Sequence, residues 1–374
     1  MKIRAAVLRH SPVKPPFAVS RPLSIEMVDL AEPGPEELLV RIGAAGLCHS
    51  DLSVINGDRP RPVPMVIGHE AAGTVEAVGS AVHDIVPGDR VVMTFLPSCG
   101  HCLPCAEGRA ALCIPGAEAN GRGALMSGAL RLSCDEVPVH HHCGVSAFAE
   151  YAVVSRYSAV KVDADLPMVE LALFGCAVLT GVGAVVNTCQ VKPGQSVAVV
   201  GLGGVGLAAV LGAVASGAVR IIAVDLAQDK LDKARALGAT DTFLAGDPDV
   251  VEKIRAATGG GVDHALEMAG SARAFDTAYR ITRRGGTTAS AGLAPPSAQF
   301  AIPAVGLVAD ERVVRGSYMG SCVPQRDIPR FIALYQAGKL PVNLLLSSTG
   351  PLEEINEGFD LLHEAKVVRH VITF

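Results

Sequence analysis

Charge is what this sequence has little of. Only 18% of its 374 residues are Asp, Glu, Lys or Arg, against 49% hydrophobic, a balance that excludes a long disordered tail and describes a packed protein. Positive charge is not in excess either. The formal net charge of −5 argues against nucleic acid or an anionic membrane surface as a partner. Repeats and low-complexity tracts are missing. So is any long apolar run free of glycine: "LALFGCAVLTGVGAVV" (171–186) and "SVAVVGLGGVGLAAVLGAVASGAV" (196–219) are both studded with it, and the second continues directly into "RIIAVD". Both read as buried strands and helices of an α/β core, with no membrane span. The opening "MKIRAAVLRH" alternates apolar and basic residues. It lacks the apolar centre of a secretory signal, so a strand is expected there. At this length one core is too small a unit, and two domains are expected.

Cysteine, by contrast, is plentiful. The ten cysteines stand at 48, 99, 102, 105, 113, 134, 143, 176, 189 and 322. Without a secretory leader they point to a reducing compartment, the cytoplasm, and to metal or redox chemistry in place of disulfides. Four of them fall in "CGHCLPCAEGRAALC", with gaps of two, two and seven residues. Short gaps let successive sulfurs converge on one ion, and the longer gap folds the chain back to close a tetrahedron. Four thiolates fill every position around zinc and leave none for water or substrate. An iron–sulfur run would have a three-residue last gap followed by Cys-Pro; "CIP" follows here. Cys99, Cys102, Cys105 and Cys113 are therefore expected to hold a structural zinc, with disulfides or free thiols as the remaining reading.

Three further stretches offer ligands for an open metal site: "GLCHSDLS" with Cys48, His49, Ser50 and Asp51; "VIGHEAAG" with His69 and Glu70; and "LFGCAVLTG" with Cys176. Two thiolates and one imidazole leave zinc a fourth position, as catalysis requires. Asp51 or Glu70 could hold the second nitrogen of the ligating imidazole. Spacing cannot select this set, because Cys48 and Cys176 are far apart, and a lone His or Cys is more often packing than ligand.

The second half carries a different signal. "SVAVVGLGGVGLAAVLGAVASGAVRIIAVD" (196–225) reads as strand, glycine turn, helix, strand. Gly201, Gly203 and Gly206 satisfy G-x-G-x-x-G at the start of the helix, where a pyrophosphate can approach backbone N–H groups. Asp225, ending the next strand, is placed to accept the adenosine ribose hydroxyls and so favours NAD over NADP. Lys230, one turn on, is either a further ribose donor or a solvated helix charge. Strands and helices alternate onward, through "ARAFDTAYRITRRGG" as helix and "TTASAGL" as strand, implying a doubly wound parallel sheet. Residues 1–178 instead show short β segments between Pro/Gly turns.

Taken together, "GLCHSDL", "GHEAAGTVEAVG", "CGHCLPC", "GLGGVG" and "VVRHVITF" resemble the zinc-dependent medium-chain alcohol dehydrogenases over the whole chain. The resemblance implies an α/β fold: a β-rich GroES-like catalytic domain (1–178 and 321–374) around a Rossmann NAD-binding domain (179–320), with the active site in a cleft between them. It implies two Zn2+ per chain. Cys48, His69 and Cys176 would bind the catalytic one and the four-cysteine loop the structural one, with Asp51 orienting His69 and Glu70 just behind the metal. Ser50 would relay the proton. NAD would meet Gly201, Gly203, Gly204, Val205, Gly206 and Leu293, with Thr180 and Val205 flanking the nicotinamide, Asp225 and Lys230 near the ribose, and His49 and Arg369 on the pyrophosphate. Pocket positions map to Arg59, Phe95, His142, Cys143, Leu293 and Tyr318, more polar than an aliphatic-alcohol pocket. The implied reaction is oxidation of a primary alcohol, aryl or polar-tailed, to the aldehyde or ketone with hydride transfer to NAD, and its reverse. Where some relatives end the proton relay in histidine, this chain has Ser53. Relatives dimerise edge to edge through the segment that is "DERVVRGSYMG" here; a dimer or tetramer is expected, and Cys134, Cys189 and Cys322 are left to packing. Two other readings are a glutathione-dependent formaldehyde dehydrogenase and a non-catalytic NAD-binding relative. "CIPGAEANG" offers no arginine soon after the last loop cysteine, which disfavours the first; the intact ligand set and Ser50 disfavour the second.

Overall fold

The alternation of the first ten residues is a strand, Lys2–Leu8, with Ile3, Ala5 and Val7 buried. It pairs antiparallel with Leu23–Leu30 and closes a small barrel with Leu132–Cys134, Val137–His141 and Met65–Val66. The computed structural model describes all 374 residues and divides the chain into two compact units. The first comprises Met1–Cys176, Val323–Ile332 and Leu346–Phe374; the second comprises Ala177–Cys322 and Ala333–Leu345.

Beside the barrel, the first unit holds a sheet in the order Ala159–Lys161, Arg90–Met93, Glu70–Val78, Glu37–Gly46, Arg369–Thr373, Leu346–Pro351, with Tyr151–Ser155 also on Glu37–Gly46. Two registers in this sheet matter for function. Gly46 lies opposite Glu70, so Cys48 and His69 leave the ends of neighbouring strands side by side. Val371 also lies opposite Gly46, which carries Arg369 to the same end of the sheet.

The second unit is a parallel sheet of six strands. Counted along the chain they are Ser196–Val200, Arg220–Asp225, Asp241–Leu244, Val262–Glu267, Thr282–Ser290 and Val313–Gly316, and they lie in the order 3-2-1-4-5-6. That is the doubly wound nucleotide-binding order, whose ligands sit at the carboxyl ends of the strands. The two glycine-studded runs are broken into short buried elements, among them Ala177–Gly183 and Gly204–Ala215. No single helix is long and apolar enough to cross a membrane.

Two boundaries differ from expectation. The helix expected over 272–286 ends at Ile281, and the strand begins at Thr282. Thr282 Oγ1 bonds back to the Ala278 carbonyl, and the register with Val262–Glu267 shifts so that Arg283–Gly286 is absorbed as an irregularity before Thr287. Two adjacent glycines in the expected last turn favour this outcome. Residues 333–345, expected with the first unit, group with the second. The reason is apolar burial: Leu340, Val342 and Leu345 are buried, and Val342–Leu345 contacts the helix Gly204–Ala215.

Candidate active site

Cys48 is the N-cap of the short helix His49–Ile55, and Asp51, at its third position, accepts the Cys48 backbone N–H at 3.1 Å. This reciprocal turn fixes the thiol at a helix N-terminus, where partial positive charge favours thiolate. His69 follows Gly68, whose φ of +107° and close approach to the Phe148 backbone leave no room for a side chain. Cys176 follows the turn Leu173–Gly175. The Cys48 and Cys176 sulfurs are 4.0 Å apart, and with one ring nitrogen of His69 all three ligand atoms lie within 4.8 Å of one another, buried. Zinc–sulfur bonds of about 2.3 Å in tetrahedral array set sulfurs about 3.8 Å apart. The spacing fits a metal.

His69 Nδ1 is 3.0 Å from Asp51 Oδ1, which leaves Nε2 for an ion. Burial opposes a charged His69, yet the Asp51 carboxylate outweighs it and holds the imidazole well above its ordinary pKa. The Cys48 thiol is held well below the ordinary thiol range, by the contact with Cys176 first and by His69, against burial. Glu70 is fully buried; burial pushes its carboxyl up to about 7, with Arg369 opposing. Neither Glu70 oxygen has a hydrogen-bond partner, and the nearest cation is Arg369 Nε at 3.6 Å. Two thiols, an oriented imidazole and a buried acid short of partners make a pocket that suits a divalent cation.

Asp51 does more than expected. Its Oδ1 also accepts the Gly68 N–H at 3.2 Å and lies 3.1 Å from His142 Nδ1. His142 is buried, edge-on to His69 at 5.3 Å. Expected in the substrate pocket, it is also a second partner of Asp51. Arg369, expected on a pyrophosphate, is buried too: it faces Glu70 and donates to the Leu47 carbonyl. Phe95 stands edge-on to His69 at 5.9 Å. Ser50 is half-buried and its hydroxyl oxygen accepts from Cys48 Sγ, 3.7 Å away. His49 is exposed; Arg59 and Cys143 are half-buried.

The four-cysteine loop converges as its spacing predicts. Its sulfurs all lie within 4.8 Å of one another, with Cys102 and Cys113 at 4.0 Å, and none is in a disulfide. Backbone N–H groups of Cys99 and Cys102 point at the sulfurs of Cys113 and Cys99, both at 3.3 Å. Such N–H···S contacts suit thiolates.

In the second unit, Gly201 has a φ of +97°, and a Cβ on Gly206 would sit 1.9 Å from the Gly201 carbonyl, so both positions require glycine. Gly203 and Gly204 open the helix, and Val205 is half-buried within it. Asp225 accepts backbone N–H groups from Leu202 (2.7 Å) and Ala227 (3.0 Å), pinning its carboxylate beside the turn with lone pairs to spare. Lys230 is only 7% exposed, so it is no solvated helix charge. Thr180 is buried, while Leu293 and Tyr318 are exposed on this unit.

Residues 34–164 match the alcohol dehydrogenase GroES-like domain, and residues 204–337 match the zinc-binding dehydrogenase domain. Among solved structures, the chain is similar to an alcohol dehydrogenase zinc-binding domain protein from Burkholderia ambifaria, with 36% identity over 100% of this chain and 99% of that one and a TM-score of 0.94. It is similar to benzyl alcohol dehydrogenase from Acinetobacter calcoaceticus at 32% identity, over 100% and 99% of the two chains, with a TM-score of 0.93. The alcohol dehydrogenase TADH of Thermus sp. ATN1 shares 28% identity over 99% of each chain, at a TM-score of 0.84. With its ligand clusters, its glycine turn and full-length relatives of this kind, the chain belongs to the zinc-dependent alcohol dehydrogenases of the medium-chain dehydrogenase/reductase family.

Proposed function

We propose that this oxidoreductase oxidises a primary alcohol bearing an aryl group to its aldehyde, and runs the reverse reaction, with NAD as hydride partner and two zinc ions per chain. The observation that carries the reading is the buried triad of Cys48, His69 and Cys176, at tetrahedral spacing with Asp51 behind the imidazole. Zinc in that triad supplies Lewis acidity that lowers the pKa of an alcohol, and NAD in the second unit supplies the hydride-accepting ring.

The chain's own residues do the rest. Asp51 fixes the His69 ring and its tautomer. The Ser50 hydroxyl, beside Cys48, takes the proton from the substrate oxygen and passes it outward. Ser53 does not continue that path, since its hydroxyl is spent on the His49 carbonyl at 2.8 Å. Asp225 accepts the ribose hydroxyls and repels a 2′-phosphate. Phe95 gives the substrate an aromatic wall beside the metal ligands. An aryl ring stacking on Phe95 or Arg59 gains about 0.5–2 kcal/mol, which an alkyl chain forfeits against a guanidinium. Full-length similarity to a benzyl alcohol dehydrogenase supports the same substrate class. We further propose a homodimer formed through the exposed edge strand Val313–Gly316.

The test is NAD reduction by the zinc-loaded protein with benzyl alcohol, ethanol and hexanol, and with S-hydroxymethylglutathione as reference for the glutathione-dependent alternative. Benzyl alcohol is expected to lead in kcat/KM, and Arg59→Leu to move the preference toward hexanol. A wild-type preference for ethanol over benzyl alcohol, or for the glutathione adduct over both, overturns the substrate assignment.

A further inference from the structure

Glu267 belongs to no motif. It is the last residue of the strand Val262–Glu267, 2% exposed, at the carboxyl edge where the glycine turn lies. A buried acid needs strong partners, and those of Glu267 come from two different loops. Oε1 accepts three successive backbone N–H groups, from Ala269 (2.8 Å), Gly270 (2.6 Å) and Ser271 (3.4 Å). Oε2 accepts the Ser290 hydroxyl at 2.7 Å. Its backbone carbonyl takes the N–H groups of Ala291 and Gly292. One residue thus ties the loop after the fourth strand to the loop after the fifth.

Both loops abut the proposed cofactor-binding residues with no space to spare. A Cβ on Gly201, the first glycine of the turn, would lie 2.7 Å from the Ala269 nitrogen. A Cβ on Gly270 would lie 3.0 Å from the Leu293 carbonyl, and one on Gly292 would lie 2.1 Å from the Gly270 nitrogen and 2.8 Å from Glu267 Oε1. Gly201, Ala269–Gly270 and Gly292–Leu293 therefore form three backbone layers in direct contact, the second bound to the Glu267 carboxylate and the third to the Glu267 backbone carbonyl. A run of N–H groups converging on one point is an anion-binding arrangement, and here the protein fills it with its own side chain. This leaves the N–H groups of the glycine-turn helix, and not these, for a bound phosphate.

We infer that Glu267 is a positioning residue for the dinucleotide: it locks the two loops so that the glycine turn and the Leu293 backbone present a preformed surface to the pyrophosphate and nicotinamide halves of NAD. The inference rests on the NAD reading above. The adenosine half depends on Asp225, on the other side of the glycine turn, and is independent of Glu267. Losing the carboxylate should therefore weaken binding of the whole dinucleotide and spare binding of AMP.

The experiment titrates zinc-loaded wild-type protein, Glu267→Gln, Glu267→Ala and Gly292→Ala with NADH, followed by its fluorescence, and with AMP by calorimetry, alongside melting temperature and zinc content. Glutamine can keep its oxygen on the three N–H groups and turn its amide to Ser290 Oγ, so its NADH affinity should fall only about threefold. Glu267→Ala orphans three buried donors and should lose about thirtyfold or more. Gly292→Ala, which pushes on the same carboxylate from the other loop, should lose about tenfold and serves where Glu267→Ala does not fold. AMP affinity should stay within about twofold throughout, and KM for NAD should rise more than kcat falls. Folded variants that bind NADH within about twofold of wild type, or that lose AMP and NADH in parallel, overturn the positioning role. A wild-type protein that takes no NADH at millimolar concentration overturns the cofactor reading itself.

Discussion

Asp51 binds two backbone N–H groups, the proposed zinc ligand His69 and the buried His142 with a single carboxylate. Asp51→Asn keeps the shape but offers an N–H₂ where donors already point. Partners of this kind are worth about 10–100-fold in metal affinity, so chelator competition should show one of two zincs released that much more readily; unchanged release would remove Asp51 from the metal site. A second residue, His141, makes a pH prediction. Burial depresses its pKa to about 4, with Glu37 opposing and His140 and Arg131 assisting, and its Nε2 accepts the Arg131 N–H at 3.0 Å. The depressed pKa means that the unfolded chain binds the extra proton first. The stabilisation from neutral His141 is complete above about pH 6.5 and is lost as pH falls toward 4, on the order of 3 kcal/mol. His141→Gln should flatten the melting temperature between those pH values; an equally steep acid loss would contradict this. At this scale the sequence was legible only in part. Cys48, His69 and Cys176 came from a resemblance, since their separation says nothing about contact. The contact of His142 with Asp51 is not legible, because a sequence position cannot say which way a ring turns. Glu267 was missed inside the strand-like "VDHALEMAG", where the one available signal was an acid closing a buried strand.

Elements were easier to read, because they depend on local spacing. The cysteine loop converges as its gaps require, and the strand–glycine–helix–strand run falls in the expected order as Ser196–Val200, Gly204–Ala215 and Arg220–Asp225, since turn chemistry and apolar periodicity both act over a few positions. The misread boundary at Ile281 lies where a β-branched Thr282 and a glycine pair hand the chain from helix to strand. The loop and the catalytic cluster should also fail differently. Cys105→Ala opens the site proposed for a structural zinc, a metal that would contribute folding free energy, and should lower the melting temperature and yield of soluble protein. Cys176→Ala should leave a folded protein without activity. A Cys105→Ala protein with one zinc per chain and an undiminished melting temperature would contradict the structural role of the loop.

For the molecule as a whole, the exposed apolar residues of the second unit call for a partner. Val313–Gly316 is the last strand of its sheet and is exposed along its length, with Val313 at 38% and Val314 at 36%. Close by in sequence, the helix Ala304–Ala309 buries none of its residues, and Val305 and Val308 are 77% and 78% exposed. A flat apolar edge with unpaired N–H and C=O groups is a template for another strand, and soluble monomers normally blunt such edges with charge, proline or a bulge. This strand has Arg315 but neither proline nor bulge. A second copy pairing edge to edge would join two six-stranded sheets into one and cover the valines by an isologous contact. Sedimentation or light scattering at micromolar concentration should therefore give twice the 38.5 kDa chain mass. Val314→Lys places a charge at the centre of the pair in each copy. It should return the mass to one chain without loss of zinc, because Val314 lies in the second unit and the ligand residues lie in the first. A wild-type chain that stays monomeric, or a Val314→Lys chain that stays dimeric, would move the contact elsewhere.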